Sequence, residues 1–287
     1  MNDSFDLVVL DMDGTIYGRQ FPGGFSPRVR RAIAAVQEAG TPVTIATGRI
    51  FDFVRTITPD LGITLPVITA QGAVIGDPVS GELLHEALIP PGPARDVARW
   101  ADCEERTTVF YLNRRNGRTR LLQNAFTPTN GDGGMEGWDA ATYDHWFGSP
   151  RELCPSLLKA MNEPSVHPLK FITVNDCTQE ADLTARLQAR FGSDLLISRS
   201  HQLLVEGTAP KANKGDALKW LAGRLNIDLA RILAVGDNEN DIPMLRAAGF
   251  AVAMGQATAI VQQEADWVAP ALEQDGAAAA LERFCLA

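Results

Sequence analysis

The sequence predicts an α/β protein, a parallel sheet flanked by helices that is split by an inserted α+β domain. Short apolar runs alternate with helical stretches at the start of the chain, hairpin-like runs replace them in the middle, and the βα rhythm resumes from about residue 211. A chain of 287 residues with 45% hydrophobic content can bury a sizeable core, and two domains suit that length.

Asp6 to Leu10 is a short apolar run ending at Asp11, which reads as a buried strand leading into a functional loop. A helix over 27–39 follows, with Pro27 in its first turn, Val29, Ile33 and Val36 on one face and Gly40 to end it. Residues 42–46 form the next strand, closing in the turn Thr47-Gly48-Arg49, then come a helix over 50–57 and a strand over 66–69. In the middle domain strands are expected at 107–113, 118–123, 169–174, 194–199 and 202–206, with helices at 92–104, 150–161 and 179–191. Beyond it, Ala217, Leu218, Leu221, Ala222 and Leu225 stripe one helix, and Ile232 to Val235 is a strand ending at Gly236-Asp237. A helix over 241–248, a strand over 251–253, a helix over 257–264, a strand at 267–268 and a C-terminal helix complete the core.

The net charge of −9 argues against binding along a nucleic-acid backbone, which needs clustered Lys and Arg. No apolar stretch is long enough to cross a membrane, and the start of the chain does not resemble an export signal, so a cytoplasmic location is expected. Cys103, Cys154, Cys177 and Cys285 lack metal-ligand spacing and suit free thiols in a reducing compartment. His85, His145, His167 and His201 are scattered. Trp100, Trp138 and Trp146 fall in the middle domain, where core packing is the ordinary use of an aromatic ring. The segment 127–137, rich in Gly, is too polar for a core and is read either as a lid edge or as an idle surface loop. The run from Asp237 to Asp241 opens like a calcium loop, but Ile242 stands where that loop requires Gly.

Carboxylates gather where the parallel strands end. Asp11 and Asp13 are one residue apart, so in extended backbone they point the same way and repel, and Asp237 and Asp241 add further oxygens of the kind a hard divalent cation prefers. Thr47 and Gly48 offer a hydroxyl and an amide to an anion, and Lys214, at a predicted helix start, adds charge. Alone, each has a bland reading as a turn, a cap or a surface lysine. Together they fall at one predicted sheet edge, where ligands bind in open α/β sheets, and supply the nucleophile, proton donor and positive charge that phosphoryl transfer needs.

In these motifs the chain resembles the haloacid dehalogenase-like hydrolases, specifically the Cof-like subfamily with a large α+β cap. Asp11-Met-Asp-Gly-Thr-Ile16 matches the first motif, Ala46-Thr-Gly-Arg49 the second, Lys214-Gly-Asp-Ala-Leu218 the third, and Gly236 to Leu245 the fourth. The resemblance implies a Rossmann-like core from residues 1–83 and 207–287, with a cap over 84–206 that selects the substrate. It further implies a magnesium-dependent phosphatase acting on a small phosphorylated metabolite such as a sugar phosphate. Asp11 would be nucleophile and metal ligand, and Asp13 acid/base and ligand through its carbonyl oxygen. Asp237 would be a ligand with Asp241 supporting it from behind, while Thr47, Gly48, Lys214 and Asn240 hold phosphate. A phosphomutase using the same aspartyl phosphate and a catalytically silent ligand-binding regulator are the alternatives. The chain departs from the subfamily in having Gln71-Gly72 where Asn-Gly is usual and Gly255-Gln256 where Gly-Asn is usual.

Overall fold

The computed structural model describes residues 5–18, 21, 24–115, 118–124, 151–175, 183–201 and 204–286. Trp138, Trp146, His145, Cys177 and the segment 127–137 lie outside the described residues. The chain divides into two units, residues 1–85 with 213–287, and residues 86–212.

Along the chain the strands are β1 (Leu7–Leu10), β2 (Val43–Ile45), β3 (Val67–Thr69), β4 (Val74–Gly76), β5 (Leu83–Glu86), β6 (Thr108–Arg115), β7 (Arg118–Asn124), β8 (Arg151–Cys154), β9 (Pro168–Val174), β10 (Leu196–His201), β11 (Leu204–Thr208), β12 (Ile232–Gly236), β13 (Phe250–Ala253) and β14 (Trp267–Val268). The first unit is built on a parallel sheet of order β14-β13-β12-β1-β2. A single parallel bridge from Ala46 to Ile68 sets β3 beside it. All four residues of β1 are fully buried, as expected of a central strand covered on both faces.

The helix Pro27–Glu38 starts where Ser26 accepts a hydrogen bond from the Val29 amide, has Pro27 in its first turn, and buries Val29, Ala32, Ile33 and Val36. The helix Lys214–Leu225 is capped by Asn213 and packs Ala217, Leu218, Leu221 and Ala222 against β1 and β12 residues such as Leu7, Val9, Ile232 and Ala234. The Lys214–Leu225 helix delivers its first residue to the sheet edge where β1 and β12 run out, which is what places Lys214 at the site.

The second unit is a six-stranded sheet of order β10-β11-β9-β6-β7-β8, antiparallel except where β7 and β8 run parallel. Alternate residues of these strands, among them Phe110, Leu122, Phe171 and Val205, join Trp100, Leu157, Leu183 and Leu187 of three helices in one core. Trp100 is thus a packing residue.

The structure corrects three sequence expectations. Residues 151–154 form β8, and helix occupies only Leu157–Met161, because Pro155 disfavours helical backbone at the residue before it and Ser156 caps the new start by accepting from the Lys159 amide. The short strands β4 and β5 follow β3 in a stretch to which the sequence assigned no individual element. The helix expected over 257–264 is regular only over Ala259–Gln262.

Candidate active site

The site begins one residue past β1. The Asp11 amide donates to the Val235 carbonyl at 2.9 Å, so the sheet ladder reaches Asp11 and fixes its side chain. The chain then turns sharply, with the Met12 carbonyl accepting from the amides of Thr15, Ile16 and Tyr17. Gly14 permits the turn at φ +88°, and a Cβ there would lie 2.3 Å from Asp237 Oδ2, so only glycine lets the β12 loop approach.

On the neighbouring strand, β12 ends at Gly236 and the next turn folds around Asp241. Asp241 Oδ2 accepts from the amides of Asp237 and Asn238, both at 3.0 Å. Its Oδ1 accepts from Lys214 Nζ at 2.5 Å, and the same ammonium donates to Asp11 Oδ1 at 2.5 Å. Asp11, Lys214 and Asp241 are all buried. Thr15 Oγ1 lies 3.4 Å from Asp237 Oδ1 and orients that carboxylate.

Asp11, Asp237 and Asp241 each offer a carboxylate oxygen, all within 4.8 Å of one another. Among the described residues the Lys214 ammonium bonds two of these three acids. Burial, and then the charge of Asp241, raise the Asp11 carboxyl well above the usual carboxylate range in spite of Lys214. The same two causes push Asp237 up to about 7. Burial opposes the charge on Lys214, but Asp11 and Asp241 together carry its pKa above the ordinary lysine value. A crowded, all-oxygen set with unrelieved repulsion suits a hard divalent cation. Within it Asp241 has both oxygens engaged by protein donors, which leaves Asp11 and Asp237 as the more available ligands.

Of the residues expected from sequence, Asp11, Lys214, Asp237 and Asp241 come together. The Asp13 carboxylate stands apart from them in a bidentate pair with Arg49, Nε to Oδ2 at 3.0 Å and Nη2 to Oδ1 at 2.6 Å. The Arg49 guanidinium is buried and lies over the Phe53 ring at 4.6 Å, so it is not the solvated arginine of an ordinary turn. Thr47 follows β2, its amide bonded to the Ile68 carbonyl at 2.9 Å and its hydroxyl accepting from the Arg49 amide at 3.1 Å. Asn240 Nδ2 donates to Gln71 Oε1 at 2.9 Å, and Gln71 packs against Gly48. Gln256 Nε2 donates to the Gly14 carbonyl at 2.6 Å while its Oε1 accepts from the Leu272 amide, so both glutamine departures touch the site's loops. The contacts of Thr15, Arg49 and Gln71 were not read from sequence. Thr15 and Arg49 stand within the first and second motifs and Gln71 is a departure from the subfamily's usual Asn, but nothing in the sequence names their partners.

The family model for haloacid dehalogenase-like hydrolases matches residues 8–281. The phosphatase YwpJ of Bacillus subtilis is 32% identical over 292 residues, covering 95% of this chain and 97% of its own. A second B. subtilis protein, 5-amino-6-(5-phospho-D-ribitylamino)uracil phosphatase YcsE, is 27% identical over 98% of this chain and 96% of its own. The solved structure of a haloacid dehalogenase-like hydrolase from B. subtilis superposes with a TM-score of 0.79 at 26% identity, over 96% of this chain and 99% of that one.

Proposed function

The chain belongs to the haloacid dehalogenase-like hydrolase family, and from that premise we propose that it is a magnesium-dependent phosphatase of a small phosphomonoester, working through an aspartyl phosphate on Asp11. The observation that carries the reading is the Lys214 ammonium held between Asp11 and Asp241 inside a three-carboxylate cluster at the ends of β1 and β12. Magnesium would be held by Asp11 and Asp237, with the Asp13 carbonyl oxygen as a further ligand and Asp241 behind them. When bound, it offsets the repulsion between these acids and an arriving phosphate dianion.

The chain's own residues do the rest. Asp11 attacks phosphorus as a carboxylate, with Lys214 supplying positive charge beside the transferring oxygens. Thr47, Gly48 and Asn240 hold the phosphate oxygens. Asp13 donates a proton to the leaving oxygen and later takes one from the water that cleaves the aspartyl phosphate. Both Asp13 oxygens are engaged by Arg49 here, so this role requires the release of one of them to the reacting group. Arg49 thereby parks the acid/base group at a defined place.

Residues 86–212 interrupt the core between the second and third motifs, and we assign substrate choice to this insertion. A sugar phosphate or related polyol phosphate is the class we favour. It agrees with a relative whose named substrate carries a phosphorylated ribityl chain. Cys103, Cys154 and Cys285, which are free thiols, fit a reducing cytoplasm, and no helix among the described residues is long and apolar enough to cross a membrane.

The test is phosphate release from a panel of sugar phosphates, nucleotides and p-nitrophenyl phosphate, with magnesium or with EDTA, in the wild type and Asp11→Asn. Magnesium-dependent release lost in the variant is expected. Turnover that survives Asp11→Asn, or that persists in EDTA, sinks the mechanism, and transfer of the phosphoryl group to a second sugar in place of water would make the protein a mutase.

A further inference from the structure

On the reading that Thr47, Gly48, Lys214 and Asn240 hold phosphate, we propose that Gln71 is a positioning residue of that cradle, which orients the Asn240 carboxamide and braces the loop at Gly48. Gln71 sits just after β3, buried, with φ +63°, and Ala70 before it has φ +50°. Left-handed backbone is costly for an L side chain other than Asn, Asp or Gly, and two consecutive residues adopt it here. The surrounding structure therefore fixes a conformation that the local sequence resists, and such places concentrate at functional sites.

The side chain shows what is gained. The Gln71 backbone N–H donates to the Thr47 carbonyl at 3.1 Å, which ties β3 to the loop after β2 while the side chain reaches further. Its Nε2 lies 2.6 Å from where a Cβ on Gly48 would stand, so the absence of a side chain at 48 is what admits the carboxamide. Its Oε1 accepts from Asn240 Nδ2, bridging 169 residues of sequence to the loop after β12. One side chain thus joins the two loops that carry Thr47, Gly48 and Asn240.

The remaining oxygen of Asn240, Oδ1, is buried and meets no donor. A buried acceptor left alone is costly, so the carboxamide keeps this place because its other end is held. The contact of Nδ2 with Gln71 Oε1 is what holds it. The carboxamide of Gln71 supplies the acceptor, and its length carries that oxygen across to Asn240.

The experiment compares the wild type with Gln71→Met, which keeps the length and the backbone cost but has no amide, and Gln71→Asn, which suits left-handed backbone but is one methylene too short. Binding of inorganic phosphate in the presence of magnesium is measured by calorimetry, KM and kcat with p-nitrophenyl phosphate, and Tm by thermal melting. In both variants the phosphate Kd and the KM are expected to rise about tenfold, with kcat falling less. The Tm of Gln71→Asn should be no lower than that of the wild type, which separates positioning from simple stabilisation. Wild-type Kd and KM in Gln71→Asn, or losses that only follow a fall in Tm, overturn the assignment. A wild type that neither binds phosphate nor hydrolyses the ester overturns the phosphatase reading and this inference with it, whereas an active wild type with indifferent variants overturns this inference alone.

Discussion

Replacing Lys214 with Met removes the ammonium that bonds two acids, Asp11 and Asp241, of the three-carboxylate cluster. The ammonium is 2.5 Å from oxygens of both Asp11 and Asp241, and these two acids and Asp237 each offer a carboxylate oxygen within 4.8 Å of the others. Two carboxylates at that separation repel by roughly 3.5 kcal/mol at an effective dielectric constant of 20. Removing one partner of a buried ion pair costs about 3–5 kcal/mol by precedent, so the variant should lose a similar amount. In a chain of this size that corresponds to a fall in Tm of roughly 5–8 °C. Magnesium should restore more of the loss in the variant than it adds to the wild type, because it then meets an acid cluster with no competing ammonium. Thermal melting with EDTA and across a magnesium series reads both effects. A variant that melts with the wild type in EDTA, or whose magnesium shift is the smaller of the two, would refute the account of Lys214 as the counter-ion of the cluster.

Further outcomes follow from single contacts. Gly14→Ala places a Cβ 2.3 Å from Asp237 Oδ2 in left-handed backbone, so the apparent magnesium dissociation constant, read from activity against metal concentration, should rise about tenfold or more. Arg49→Lys keeps a charge but not the two-pronged grip on Asp13, so kcat should fall about tenfold with magnesium affinity unchanged. In the second unit Lys170 and Glu206 form a buried pair at 2.8 Å, with the Lys170 amine over the Tyr111 ring. Chemical denaturation should show Lys170→Met losing about 3–5 kcal/mol, and adding Glu206→Leu should recover most of it.

Much of this architecture was legible because burial on both faces makes a strand read as an unbroken apolar run. Leu7 to Leu10 and Ile232 to Val235 are of that kind. The strand β8 was not legible, because Arg151-Glu-Leu-Cys154 is made largely of residues with good helix propensity. Its pairing with β7, including the Arg120–Glu152 ion pair across the strands, overrides that preference. At the site, the motifs put Asp11, Lys214, Asp237 and Asp241 at one sheet edge by order alone. The partners of Asp13 and Asn240 are 36 and 169 residues away in sequence, and no local pattern announces them.

The fixed geometry of the acids sets the order in which ligands can enter. Asp11 is held by the sheet ladder through its amide and by Lys214 through its carboxylate, Asp241 by two backbone amides and Lys214, and Asp237 by Thr15, so these contacts hold the three acids close together. At a pH high enough to ionise Asp11 and Asp237, whose carboxyls are both raised, three carboxylates against the Lys214 ammonium leave an excess of negative charge at the place where a phosphate dianion must bind. Even one uncompensated charge pair at about 5 Å costs ~3 kcal/mol at an effective dielectric constant of 20, which is about a hundredfold in affinity. Inorganic phosphate should therefore bind at least about a hundredfold more weakly in EDTA than in magnesium, whereas magnesium should bind measurably without phosphate. Calorimetric titrations in both orders test this. Phosphate binding that is equally tight in EDTA would mean that Lys214 and the loop amides alone neutralise the dianion, and the acid cluster would then have no need of a metal to admit its substrate.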